Sequence, residues 1–185
     1  DNFQGAYQMT EYCIRMGHRR IGLILGETTL TTGKNRLDGY HRALDDAGIP
    51  FNSELVRIGS FTRQHGELAA SELLQLADPP TVIFAGSNRI LMGTLCVIQQ
   101  RGFTIPEDIS VVAFDDPEWL SVWNPPITAV DIAVQEMARL AVDLLQRHIV
   151  SSDREDKPVT YQLSTTLIER SSCKRLCSSR VETPG

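Results

Sequence analysis

From residue 21 to residue 116 the chain repeats one grammar: a short apolar run, a polar turn, then a stretch with helical spacing. The runs are 21–25, 55–58, 81–85 and 109–114, and all but 55–58 are almost wholly apolar. Strands that are apolar on both faces are covered on both faces, which predicts a parallel sheet sandwiched between helices. The helical stretches carry stripes of their own. Leu37, Tyr40, Leu44 and Ala47 recur at steps of three and four before Gly48 and Pro50 stop the helix. After Thr62, Ala69, Leu73 and Leu76 or Ala77 share a face that ends at Pro79-Pro80, and Ile90, Leu91, Leu95 and Ile98 follow a cap at Ser87 or Asn88 and end at Gly102.

Two helices and one strand stand outside this alternation. A helix over 3–16 stops at Gly17, and a second over 132–149 presents Met137, Leu140, Leu144 and Leu145. Residues 151–157 read as a solvated loop, 159–168 alternate like a strand, and small polar residues from 171 onward predict a frayed tail. Pro125-Pro126 breaks the chain before the later helix, so a second lobe joined by several crossings accounts for the pattern better than one compact sheet.

Composition narrows the function classes. Over 185 residues, 42% hydrophobic and 22% charged positions exclude a disordered chain. Eighteen Lys and Arg against 23 Asp and Glu give a net charge of -5, so these residues offer no electrostatic footprint for nucleic acid or an acidic membrane. No apolar run reaches the roughly 18 residues that span a bilayer. Cys13, Cys96, Cys173 and Cys177 lack disulfide-scaffold or zinc spacing, which favours reduced thiols in a cytoplasmic protein and no metal site. Glycine-rich dinucleotide loops, a P-loop and a nucleophile elbow are also missing, so no catalytic residue and no cofactor is expected. His18, His41, His65 and His148 read as solvated or core-edge residues. The start, Asp1-Asn2-Phe3, reads as the interior of a longer chain.

Ligands of open parallel sheets bind at the carboxyl ends of the strands. Arg36, near the positive end of its helix, reads either as a solvated surface cation beside Lys34 or as a rigid fork for a carboxylate, phosphate or hydroxyl. Asp115 and Asp116 read as turn residues or as an inward acceptor for ligand hydroxyls. Phe61 either covers a neighbouring helix or stacks on a flat ligand face, and Ser87 and Asn88 either cap a helix or face the ligand.

Gly17-His18-Arg19-Arg20-Ile21, Arg36-Leu37-Asp38-Gly39-Tyr40, the stretch Ile105-Pro106-Glu107-Asp108-Ile109 running into Phe114-Asp115-Asp116, Pro125-Pro126-Ile127-Thr128 and Leu167-Ile168-Glu169-Arg170-Ser171-Ser172 together resemble the LacI/GalR family of bacterial transcriptional repressors, over residues 1–172. The resemblance implies a doubly wound α/β fold of the type I periplasmic-binding-protein kind, with the carboxy-terminal lobe essentially complete and part of the amino-terminal lobe. On that reading 1–17 is a helix of the partial lobe and 18–124 the effector-binding lobe. Residues 125–158 return to the partial lobe, 159–172 cross back, and 173–185 form a flexible tail.

The resemblance also implies a small-molecule effector, a sugar, sugar acid or nucleobase-like compound. Arg36 would grip it, Asp115 accept from its hydroxyl or ring nitrogen groups, Phe61 pack on its face, and Ser87, Asn88 and Gln4 line the site. A homodimer is expected through Met92, Cys96, Trp119, Leu120, Val122 and Trp123, and operator DNA binds only through a head outside this chain. Alternatives from other classes are a secreted sugar-binding protein of a transporter, marked by an export signal upstream, and a small hydrolase or transferase, marked by turnover.

Overall fold

A computed structural model describes residues 1–150 and 160–176. The expected loop over 151–157, the start of the expected strand at 159, the end of the tail and Cys177 lie outside the described residues. The elements run α1 (Asn2–Arg15), β1 (Ile21–Leu25), α2 (Thr31–Asp46), a 3₁₀ turn (Ser53–Leu55), β2 (Val56–Ile58), α3 (Arg63–Leu73), β3 (Val82–Ala85), α4 (Asn88–Gln100), β4 (Ser110–Phe114), α5 (Trp119–Val122), β5 (Thr128–Asp131), α6 (Val134–Val150) and β6 (Thr166–Ile168).

One six-stranded sheet has the order β2-β1-β3-β4-β5-β6, parallel throughout except for β6, which runs antiparallel to β5. The predicted doubly wound α/β architecture is therefore present. Alternate residues of the apolar strands feed two cores. Leu23, Leu25, Phe84, Val112 and Phe114 pack with Ala6, Met9 and Cys13 of α1 and Tyr40 and Leu44 of α2. Ile24, Ile83, Ala85, Val111 and Ala113 pack on the other face with Ala69, Leu73, Leu91 and Ile98 of α3 and α4. Because β2 lies on one side of β1 and β3 on the other, the strand order reverses at β1, which is where doubly wound sheets hold ligands.

Three elements differ from expectation. The helix assigned to a partner lobe, α1, packs on this sheet: Ala6, Met9 and Cys13 are fully buried, and Gly39 lets α2 approach it so closely that a β-carbon there would run into the Phe3 carbonyl. Residues 128–131 form β5, an interior strand between β4 and β6, although only four residues beside a Pro-Pro break gave no strand signal. The expected tail is ordered as far as it is described: Ser172 is fully buried, its hydroxyl donating to Val111 O and accepting from Thr128 N, and Leu176 N donates to Met16 O. Of the described part of the expected strand, 160–168, Thr166–Ile168 alone pairs. No helix among the described residues is long and apolar enough to cross a membrane.

Gly39→Ala would force the α1–α2 pair apart and is expected to destabilise the chain by about 1–3 kcal/mol, as overpacking does. Urea denaturation, followed by far-ultraviolet circular dichroism, measures it.

Candidate functional site

At the carboxyl ends of β1, β3 and β4 one buried cation organises the rim. Arg36, one turn into α2, is only 6% exposed. Its Nε donates to Asn2 Oδ1 at 2.8 Å and its Nη1 to the Gly86 carbonyl just after β3, while its carbon centre lies 3.6 Å above the Phe114 ring. Nη2 stands 3.8 Å from Asp115 Oδ1, an ion pair too long for a hydrogen bond. Burial lowers the Arg36 pKa to about 10, with Asp115 opposing the shift, so the group stays charged near neutrality.

Asp115 holds a left-handed backbone, φ 72°, an uncommon state for a residue with a β-carbon. That turn sends its carboxylate back to the first turn of α4, where Asn88 N donates to Oδ2 at 3.2 Å. Asp116 points elsewhere. Its two oxygens accept from Nη1 and Nη2 of Arg170 at 2.8 and 2.7 Å, and Arg170 Nη1 also donates to Ile127 O. The two adjacent carboxylates thus divide, one to the cleft and one to a fixed clamp.

Two hollows flank this centre. One, of about 480 Å³, is walled by Asn2, Asn35 and Arg36 on one side and Met137, Leu140 and Tyr161 on the other. The second, of about 1070 Å³, is lined by Asn88, Asp115, Asp116, Asp131, Glu136 and Arg139 and is predominantly acidic. Asn88 Oδ1 is buried at its edge with no hydrogen-bond partner among the described residues. Among those residues no group of three His, Cys, Asp or Glu side chains is arranged to hold a metal ion.

The structure thus brings Arg36, Asp115 and Asn88 together. Ser87 sits beside them, but its hydroxyl caps α4 by accepting from Ile90 N. Phe61 shares the rim, yet its ring lies over Gly26 at the tip of β1, packed against the core, and lines neither hollow. Gln4 is not at the site. It is exposed on the far side of α1, in a groove with Phe3, Tyr7, Arg42 and Asp46, because two residues of helix rotate it about 200° from Asn2. Asn2 and Arg170 are the functional neighbours that sequence reasoning missed; Arg170 lay within a quoted motif, whereas Asn2 carried no signal.

Of the residues assigned to a dimer face, Met92 is 45% and Val122 79% exposed. Cys96 is half-buried and accepts from Arg63, and Trp119 and Trp123 meet edge to face at 5.9 Å while packing on the core. Leu120 is fully buried in this chain's own core, where a second chain cannot reach it. The short helix α5 explains this, since it turns Leu120 fully inward and leaves Ser121 and Val122 facing out.

The lobe thus gathers a buried arginine, a left-handed aspartate and two hollows, one of them acidic, at the carboxyl ends of its strands, where sheets of this kind hold ligands. The chain belongs to the periplasmic binding protein-like domain family, whose profile matches residues 10–173. It is 34% identical over 170 residues to the HTH-type transcriptional repressor PurR of Yersinia pestis, covering 92% of this chain and 49% of that protein. Among solved structures it superposes on a transcriptional regulator LacI from Bacillus cereus subsp. cytotoxis with a TM-score of 0.88 and 29% identity, covering 96% of this chain and 62% of the other. The transcriptional regulator CelR in complex with cellobiose matches with a TM-score of 0.84 and 36% identity over 93% of this chain and 52% of that one. The fold and the LacI/GalR resemblance read from the motifs agree with these relatives, and the chain spans about half the length of the curated relatives it matches.

The Asp116–Arg170 pair, with side chains 13% and 18% exposed, makes a further prediction. Arg170→Met leaves Asp116 buried and unpaired and is expected to cost about 3 kcal/mol. The double variant Asp116→Ala/Arg170→Met is expected to recover part of that loss, measured by chemical denaturation of the two variants side by side.

Proposed function

We propose that this chain is the effector-sensing part of a LacI/GalR-type transcriptional regulator that works in the cytoplasm as a homodimer and reads operator DNA through a head outside these residues. It performs no catalysis. The observation that carries the reading is the pairing of Arg36 and Asp115 across 3.8 Å at the switch point, beside an acidic hollow. A hydroxyl placed there can accept from Nη2 and donate to Oδ1, replacing one long ion pair by two charge-assisted hydrogen bonds. Asn88 Oδ1 supplies a further acceptor for such a ligand.

With Asp115 and Asp116 answered by Arg36 and Arg170, the hollow keeps Asp131 and Glu136 against Arg139, a net negative charge, so of the sugar, sugar-acid and nucleobase-like chemistries the neutral sugar fits best. The cellobiose held by the similar regulator CelR agrees with that choice. Phe61 contributes by fixing the β1 tip rather than by stacking, and Asn2 takes the place expected of Gln4. The six-stranded sheet with helices α1 to α5 forms the effector lobe, β5 included, and α6 leads toward a second lobe that completes the cleft. Met92, Cys96, Trp119, Val122 and Trp123 lie on the dimer side. Regulation follows if the ligand binds one lobe arrangement better than the other, since equal affinity for both would shift nothing.

In the full-length protein, Asp115→Ala and Arg36→Ala are each expected to weaken effector binding about 10–100-fold, the worth of a charged hydrogen bond, and to leave operator affinity nearly unchanged. Reporter induction and fluorescence polarisation on operator DNA read the two properties separately. Induction preserved in both variants would overturn the cleft assignment.

A further inference from the structure

Two features of the cleft are left over once a single hydroxyl has been placed between Arg36 and Asp115. The first is its division. Arg36 belongs to the wall of one hollow and Asp115 to that of the other, the pair stands 3.8 Å apart, and Ile132 lines both, so the hollows adjoin across that junction. At about 480 Å³ the smaller already falls within the roughly 300–1,000 Å³ of a whole small-molecule site, and the larger, at about 1070 Å³, reaches the top of that range. One sugar ring set against Asp115 and Asn88 in the larger hollow leaves the smaller one to water.

The second feature is that the walls differ in kind. The larger hollow offers acceptors, Asp131 and Glu136 beside the buried Asn88 Oδ1, and no aromatic ring among the described residues. The smaller sets the Asn35 amide and the Thr31 hydroxyl against an apolar wall of Met137 and Leu140. Tyr161, 52% exposed, is the one aromatic side chain among the described residues that lines either hollow. An aromatic and apolar face beside amides and hydroxyls suits a sugar ring, whose C–H face stacks while its hydroxyls hydrogen-bond. Phe61, expected to supply that face, is packed at the tip of β1 instead.

Given the sugar-sensing role proposed above, on which this rests, we infer that the ligand is a neutral saccharide of two rings, one in each hollow with the glycosidic link at the Arg36–Asp115 junction, and that Tyr161 is the residue that selects for the second ring. The ring in the larger hollow is held by hydrogen bonds to carboxylates and to Asn88, which fix its orientation. The ring in the smaller hollow is held by stacking on Tyr161 and by Asn35. Removing the second ring, or its platform, therefore costs affinity without disturbing the first.

Isothermal titration calorimetry on the full-length protein tests this with cellobiose, maltose, lactose and melibiose alongside glucose and galactose, and with adenosine as a two-part ligand of the other chemistry. At least one disaccharide is expected to bind about 10-fold or more tightly than either of its component monosaccharides. Tyr161→Ala is expected to abolish that difference, lowering the affinity for the disaccharide about 10-fold and leaving that for the monosaccharide unchanged, whereas Tyr161→Phe keeps it. Because Tyr161 is half exposed, its replacement opens no core. Asp115→Ala weakens both kinds of ligand alike. A monosaccharide that binds as tightly as every disaccharide containing it overturns the two-ring inference and leaves the sugar-sensing role standing. Equal losses for both in Tyr161→Ala overturn the part given to Tyr161, and tighter binding of adenosine, or no binding of any saccharide, overturns the inference together with the role it rests on.

Discussion

A guanidinium is charged at any pH a cell meets, and a charge taken out of water must be met by fixed dipoles and counter-charges. Arg36 imposes that constraint on the whole rim. Its Nε requires the first turn of α1, through Asn2, to sit against α2. Its Nη1 requires the chain to turn at Gly86, directly after β3, and its flat face requires Phe114 at the end of β4. The ends of two parallel strands and two helices therefore meet around one side chain. Nη2 is held loosely, facing the Asp115 counter-charge at 3.8 Å.

The division of labour between Asp115 and Asp116 follows from the same need. Two consecutive carboxylates at a strand end repel one another unless the backbone separates them. The left-handed conformation of Asp115 does so, turning one carboxylate toward Arg36 and Asn88 while Arg170 holds the other. Strain of this sort persists only where neighbours over-determine it. Here those neighbours are the amino end of α4, which holds the Asp115 carboxylate, and Arg170, two residues after β6, which holds that of Asp116.

What could be read from the chain and what could not divide along physical lines. The strands at 21–25, 81–85 and 109–114 were legible because burial on both faces leaves an uninterrupted apolar run, and Arg36 stood out because a cation is unexpected in the first turn of a helix. Four-residue β5 was not legible: Thr128 and Asp131 are polar, and its burial comes from neighbours distant in sequence. Asn2 and Gln4 could not be told apart until the register of α1 fixed which of them faced inward. Leu120 and His18 show the same limit. An apolar residue in an aromatic run and a histidine in a turn look like surface features, yet both are wholly buried, because other parts of the chain close over them.

Ser172 joins β4 to β5 with a single hydroxyl, donating to one strand and accepting from the other. Its partners, Thr128 and Val111, lie 44 and 61 residues before it. A nascent chain leaving the ribosome therefore presents β4 and β5 well before the residue that bridges them has been synthesised. Pairing at so great a separation along the sequence is slow to form. Until the segment after β6 docks, Thr128 N and Val111 O lack the partner that Ser172 supplies, and an intermediate built from β4 and β5 alone leaves both groups to water.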